Sequence, residues 1–270
     1  MALRIGKASV REPAVAGFFY PRDPFVLRDD VTRLLTEASV EEEALMRDTK
    51  ALIAPHAGYI YSGRVAAVAY KLLEPRREQI RRVVLIGPSH RVYFRGVALP
   101  SSAAFVTPLG EVPIDLELAA ELMARGDVLT SDAPHEMEHS LEVHLPFLQV
   151  MLSEFTLVPL VTGEASAALV ANALDAVWGD AATLIVASSD LSHYLTYGQA
   201  QAVDAQTNAL IVARRPELRP EQACGALPIN TLLTVANERD LVVTEVLRLN
   251  SGDTSGDRNC VVGYGAYAIH

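Results

Sequence analysis

The sequence predicts a single-domain three-layer α/β/α sandwich with a mixed, mostly parallel sheet. Short apolar runs at 51–54, 83–86 and 184–187 alternate with amphipathic helical segments, which is typical of strand–helix–strand units with parallel strands. Near the carboxyl end, strand-like segments at 241–249 and 260–269 follow each other without a helix between them. Because parallel neighbours need a long crossover connection, these two segments predict a mixed sheet.

Nothing in the chain resembles a linker or a repeat, so residues 1–270 are predicted to form one domain. Half of the residues are hydrophobic, which is enough for a substantial core.

The predicted helices follow the spacing of apolar residues and the residue types that favour helix ends. Asp115 is expected to cap a helix, because its carboxylate can accept from the free N–H groups of the first turn. Pro146 is expected to kink or divide another helix. The predicted helical segments are 24–38, a segment that begins near Ser62, Asp115 through Leu122, 138–152, 165–177, 197–213 and 229–237.

Between Val97 and Ile114 the sequence changes character. Three short strand-like segments, 97–100, 105–110 and 112–114, are separated by proline and glycine. We expect a hairpin or an edge excursion here, and a return to the main sheet with a strand at 155–161.

Charge and hydropathy exclude two classes of partner. The net charge of −10 argues against a general nucleic-acid surface, since phosphate binding needs clustered lysine and arginine. No apolar stretch reaches transmembrane length, and Met1–Arg4 lacks the apolar region of a secretory signal. We therefore expect a cytoplasmic protein that binds neither nucleic acid nor membranes.

The two cysteines have different surroundings. In a reducing cytosol they are not expected to form a disulfide. Cys260 lies at the start of the last apolar run and is predicted to be a packed, buried thiol. Cys224 lies in a turn of small residues before a predicted helix, where the helix N-terminus would lower the pKa of the thiol.

Three histidines, His56, His90 and His193, come just after the three apolar runs. Loops that leave the carboxyl ends of parallel strands line the ligand crevice of open α/β sheets, so these imidazoles can meet in one pocket. Two imidazoles and one anionic group form a metal site with open positions, and His56, His90 and Cys224 are candidates for it. The alternative is that each histidine only binds a loop carbonyl.

Asp190 precedes His193 by three residues and is a candidate to hold one ring nitrogen, which would make His193 an acid–base residue. Alternatively, Asp190 only caps the turn. His139 and Glu142 are candidates to line the cleft, whereas His135 is predicted to be an exposed loop residue. Tyr59 is a further candidate for the cleft wall, or else a packing residue.

Several segments form a series along the chain. They are Glu12-Pro13-Ala14-Val15-Ala16-Gly17-x-Phe19-Tyr20-Pro21, Ala54-Pro55-His56-Ala57-Gly58-Tyr59-x-Tyr61-Ser62-Gly63, Gly87-Pro88-Ser89-His90, Glu138-His139-Ser140-x-Glu142-x-His144-Leu145-Pro146, Ser188-Ser189-Asp190-x-Ser192-His193-Tyr194 and Gly263-Tyr264-Gly265. In this order they closely resemble the Memo family. The resemblance runs from about Arg11 to Tyr267.

This resemblance implies a fold like that of class III extradiol ring-cleaving dioxygenases, non-haem iron enzymes that open catechols. Those enzymes hold Fe(II) with two histidines and a carboxylate, and another histidine handles protons. Carried onto this chain, His56 and His90 match the two ligands. His193 matches the proton-handling histidine, with Asp190 beside it, and Cys224 takes the place of the carboxylate, as in the Memo family.

The resemblance implies Fe(II) or copper as the cofactor, with zinc as a weaker option. A thiolate is a softer ligand than a carboxylate, so it favours copper(I) or zinc more than a carboxylate would. The first hypothesis is a metal-binding, dioxygenase-like oxidoreductase of unknown substrate. The alternative is a non-catalytic protein that binds a peptide or carries a metal. Bacterial and archaeal relatives are described as protein B of the AmmeMemoRadiSam system, which implies radical-SAM and AMMECR-type partners. A zinc hydrolase is a third hypothesis.

Overall fold

A computed structural model describes residues 9–254 and 256–270. Its strands are β1 (Val10–Arg11), β2 (Ala51–Ala54), β3 (Arg82–Pro88), β4 (Val97–Leu99), β5 (Ala104–Thr107), β6 (Gly110–Pro113), β7 (Leu129–Thr130), β8 (Thr156–Thr162), β9 (Thr183–Ser188), β10 (His193–Leu195), β11 (Val243–Asn250) and β12 (Val261–Ile269).

The helices separate most of these strands. They are α1 (Pro24–Glu37), α2 (Glu42–Leu45), α3 (Tyr59–Lys71), α4 (Leu116–Arg125), α5 (Ala133–Glu136), α6 (Leu145–Met151), α7 (Ala167–Ala176), α8 (Tyr197–Val212), α9 (Ala226–Glu238) and α10 (Ser251–Thr254), with short 3-10 helices at Glu74–Arg76 and Glu142–His144. Asp115 caps α4 as predicted, because its side chain accepts from the Leu118 N–H.

The large sheet has the strand order β10-β12-β2-β9-β3-β8-β4-β7, and β11 pairs with β12. Parallel ladders join the central strands β2, β9, β3 and β8, whereas β12 runs antiparallel to β2 and to β11. The α/β sandwich and its mixed sheet are therefore confirmed. The segment around 97–114 contributes β4 to the edge region, and β5 and β6 form a separate small sheet with β1.

Two apolar cores lie on the two sides of the large sheet. One contains apolar side chains of α1, α3 and α6, such as Leu27, Val65 and Leu148. The other contains side chains of α4, α7 and α9, such as Leu122 and Leu174. The four residues of β2 are all buried, which explains why the run 51–54 is apolar at every position.

No helix among the residues that the structure describes is long and apolar enough to cross a membrane. That residues 1–270 form one domain, and that the protein is cytoplasmic, stay predictions.

The predicted helix over 138–152 is wrong in its first part. Residues 138–141 form an irregular turn, and α6 begins only at Leu145. The reason is that the Glu138 carboxylate accepts from the backbone N–H groups of His139 and Ser140. Such local side-chain bonds compete with helical hydrogen bonds.

Cys260 is exposed, so the prediction of a buried thiol is also wrong. It ends the polar loop before β12, and burial begins only at Val261.

His135 is buried rather than exposed, with 2% of its surface accessible. Its Nε2 lies 3.0 Å from the Ala98 carbonyl oxygen, to which it donates, and its ring meets the edge of Phe105. Burial lowers the pKa of His135 to about 4. The imidazole is therefore neutral in the folded protein at neutral pH.

We expect the free energy of unfolding to fall as the pH drops from 7 to 5. In this range the unfolded chain binds a proton at each histidine, with a pKa near 6.5, while folded His135 binds none until about pH 4. This residue should account for about 1–2 kcal/mol of the loss. Urea unfolding at both pH values checks it. His135→Gln, which keeps an N–H donor, should show a smaller fall than the wild type, and an equal fall would contradict the assignment.

Candidate functional site

The register of the central strands brings three loops to one sheet edge. Ala54 of β2 pairs with Ser188 of β9, and Ile86 of β3 pairs with Ala187, so the strands end at nearly the same level. The loops that follow carry His56, His90 and His193. All three histidines line a single large cleft at this edge.

Cys224 lines the same cleft. The ligand atoms of His56, His90 and Cys224 all lie within 4.8 Å of one another, and Cys224 Sγ is 3.2 Å from His56 Nε2. Ligands of a tetrahedral metal ion with bonds of about 2.0–2.3 Å are roughly 3.3–3.7 Å apart. Two imidazoles and a thiol at this spacing fit a transition metal without large movements.

A glycine allows Cys224 to approach the strand end. A Cβ atom on Gly225 would lie 2.4 Å from the Ser188 carbonyl oxygen and 2.7 Å from Ser189 Cβ. The Gly225 N–H donates to Ser189 Oγ at 2.8 Å, which ties the loop of Cys224 to the loop after β9.

Burial raises the pKa of the Cys224 thiol to about 12, and the nearby Asp190 carboxylate adds to this effect. The expected lowering of the pKa by the N-terminus of α9 is therefore wrong for this structure. Desolvation of the thiolate outweighs the hydrogen bonds from the Asp190 and Gly225 N–H groups, which lower the pKa.

Glu138 holds His90 in place. Its carboxylate accepts from the His90 backbone N–H at 2.5 Å and from the ring Nδ1 at 2.9 Å. Burial would raise the pKa of Glu138, but the hydrogen bonds from His90 and the backbone lower it to about 2, so it is ionised. Since Nδ1 carries the proton, Nε2 of His90 is free to bind a ligand.

The sequence predictions did not include Glu138 as a site residue, although it stands in the segment Glu138-His139-Ser140. It also forms a second group of potential metal ligands with His90 and His139. Because four N–H groups already bind this carboxylate, its role is to orient His90.

His193 and Asp190 lie in the cleft wall, but they do not form the predicted pair. The His193 Nδ1 donates to the Leu191 carbonyl oxygen at 2.8 Å, within the same turn. The Asp190 carboxylate instead accepts from the His56 backbone N–H at 2.9 Å, and burial raises its pKa to about 7. The prediction that Asp190 orients the His193 ring is therefore wrong. Burial lowers the pKa of His193. The hydrogen bond to the Leu191 carbonyl oxygen partly offsets this effect, and the nearby His90 adds to it.

His139 lines the cleft, with its ring centroid 4.7 Å from those of His90 and Phe19. Glu142 and Tyr59 are not in the cleft wall. Glu142 is fully buried and pairs with Arg11, and the Tyr59 hydroxyl donates to the Val143 carbonyl oxygen in the core.

The cleft has a volume of about 1770 Å³. Its wall includes three exposed aromatic side chains, namely Phe18, Tyr61 and Tyr194. Tyr194 has φ of 59°, in the left-handed region that side chains other than glycine, asparagine and aspartate seldom adopt.

Comparison with known proteins gives one consistent result. Residues 11–268 match the family described as Memo-like protein. A MEMO1 family protein of Methanothermobacter thermautotrophicus is 37% identical, over 94% of this chain and 98% of the relative. A MEMO1 family protein of Methanosarcina mazei is 34% identical over 96% and 99% of the two chains, and one of Aquifex aeolicus is 34% identical over 94% and 97%.

Tyr194→Asn is expected to stabilise the fold, because asparagine adopts the left-handed conformation at lower cost. The free energy of unfolding should rise by about 0.5–1 kcal/mol, measured by urea unfolding. Tyr194→Ala is the control, since it removes the same ring at the same backbone position without the tolerance of asparagine for the left-handed region. If Tyr194→Asn gains no more than the control, the backbone at Tyr194 is not strained.

Proposed function

Since this chain belongs to the Memo-like family, we propose that it is a metal-binding, oxidoreductase-like protein that holds iron or copper with His56, His90 and Cys224. The observation that carries this proposal is the convergence of three ligand atoms from three separate loops within 4.8 Å. Histidine pairs alone are common on protein surfaces, but a half-buried thiol beside two oriented imidazoles has few structural uses.

The surroundings of the three side chains support the proposal. Burial lowers the pKa of His56 well below its usual value, and the neighbouring imidazoles of His90 and His139 lower it further. A neutral imidazole is the form that binds a metal ion. The Glu138 carboxylate holds His90 by its other ring nitrogen, as is usual for histidine ligands.

Bound iron or copper would supply Lewis-acid and one-electron redox chemistry to an organic substrate in the cleft. His193 is the acid–base residue of this proposal. Because its Nδ1 donates to the Leu191 carbonyl oxygen, its Nε2 is free to take a proton from a substrate hydroxyl. Its lowered pKa keeps that nitrogen unprotonated at neutral pH.

The size of the cleft favours a second candidate. A volume of about 1770 Å³ exceeds the roughly 300–1,000 Å³ of typical small-molecule sites. A peptide would fill such a cleft better than a catechol would. In this alternative the protein is not an enzyme but binds a peptide, or carries a metal, for a radical-SAM partner, with an AMMECR-type protein as a further partner.

Metal analysis after anaerobic purification tests the proposal. The wild type should contain nearly one equivalent of iron or copper, and His56→Ala, His90→Ala and Cys224→Ser should each lose most of it. Cys260→Ser is the matched control, because Cys260 is an exposed thiol outside the ligand group, and it should retain the metal.

A wild type that binds neither iron nor copper when either is supplied would contradict the metal proposal. A metal-loaded wild type that consumes no oxygen with a panel of catechols would favour the non-catalytic alternative. Oxygen consumption that His193→Ala abolishes, while metal content stays constant, would favour the enzyme.

A further inference from the structure

Ser188, at the end of β9, has a hydroxyl that contacts three polar atoms. Its Oγ lies 2.6 Å from His56 Nδ1, 2.8 Å from His144 Nε2 and 2.5 Å from the Ser140 carbonyl oxygen. Ser188 and Ser140 are fully buried, and His56 and His144 are each 1% exposed. A hydroxyl has one proton to donate and two lone pairs to accept with, so these contacts limit where each proton can be.

The carbonyl oxygen of Ser140 decides the arrangement. It can only accept, and two oxygen atoms 2.5 Å apart repel each other unless a proton lies between them. Ser188 therefore donates to Ser140. Both lone pairs of Ser188 then accept, one from His56 Nδ1 and the other from His144 Nε2.

The far side of His144 agrees with this arrangement. The Tyr70 hydroxyl lies 2.7 Å from His144 Nδ1, and both residues are buried. With its proton on Nε2, the neutral His144 ring offers Nδ1 as an acceptor, so Tyr70 donates to it. The contact between Tyr70 and His144 therefore agrees with a Ser188 hydroxyl that points its proton at the Ser140 carbonyl oxygen.

We propose that Ser188 is a positioning residue that keeps the imidazole proton of His56 on Nδ1. The lone pair of His56 Nε2 then faces Cys224 Sγ, 3.2 Å away, in the metal-free protein. The competing tautomer would place a proton on Nε2, directed at the sulfur, and would have to lose it before a metal could bind. The functional part of this inference rests on the proposed metal site.

The two histidines that contact Ser188 are expected to carry their protons on different ring nitrogens. In the metal-free wild type, His56 carries its proton on Nδ1 and His144 carries its proton on Nε2. Long-range ¹H–¹⁵N NMR of protein labelled with ¹⁵N-histidine distinguishes the two tautomers. A proton on Nε2 of His56, or on Nδ1 of His144, would overturn the inference whether or not the protein binds metal.

Ser188→Ala removes the hydroxyl and should leave His56 with a mixture of both tautomers. Ser140→Ala is the matched control, because its equally buried hydroxyl donates to the Pro88 carbonyl oxygen and its own carbonyl remains. The control should retain the tautomer of the wild type. If Ser188→Ala does not fold, the wild-type spectrum still decides the inference.

Zinc affinity, measured by competition with a chelator at fixed pH, tests whether Ser188 prepares His56 to bind a metal ion. Residues that orient a ligand typically change metal affinity by about 10–100-fold, so Ser188→Ala should weaken zinc binding by that factor and Ser140→Ala by much less. Equal affinities of wild type and Ser188→Ala would overturn the positioning role. Failure of the wild type to bind zinc, iron or copper would contradict the proposed function, and the tautomer spectra would then decide the inference alone.

Discussion

The parallel alignment of β2, β9 and β3 is the constraint on which the site depends. The hydrogen-bonded register sets where each strand ends, and each strand end sets where the next loop begins. A slip of one residue would move every side chain of a strand to its opposite face, and the two cores, which are packed against those faces, would have to repack. Main-chain hydrogen bonds and burial together place the His56 ring in contact with the Ser188 hydroxyl, although the two residues are 132 positions apart in the chain.

The buried carboxylate of Glu142 holds the segment from Arg11 to Tyr20 against the rest of the fold. It accepts from Arg11, from the Tyr20 hydroxyl and from two backbone N–H groups between them. A buried ion pair contributes little net stability, but the loss of one partner is costly because the other charge remains buried. Glu142 therefore fixes the segment that brings Phe19 against His139, and it shapes the cleft wall without being part of it.

The sequence was sufficient for the features that depend on local composition. The apolar runs predicted the central strands to within a residue or two, and the strand-end rule placed His56 and His90 at one edge. It failed for polar residues whose partners are distant in the chain. His135 is buried because Ala98 and Phe105 surround it. Asp190 binds the backbone of His56, 134 residues away, although the sequence suggested the nearby ring of His193.

Cys224 lies in the cleft wall, but its surroundings differ from those that the sequence suggested. Its turn of small residues before a helix suggested a thiol activated by the helix dipole, yet burial raises its pKa instead. The small residues serve packing, since Gly225 lets this loop touch the Ser188 carbonyl oxygen. Ser188 also contacts the ring of His56, so the same strand end positions both the thiol and the imidazole. The distance of 3.2 Å between Cys224 Sγ and His56 Nε2 therefore depends on the end of β9 rather than on either loop alone.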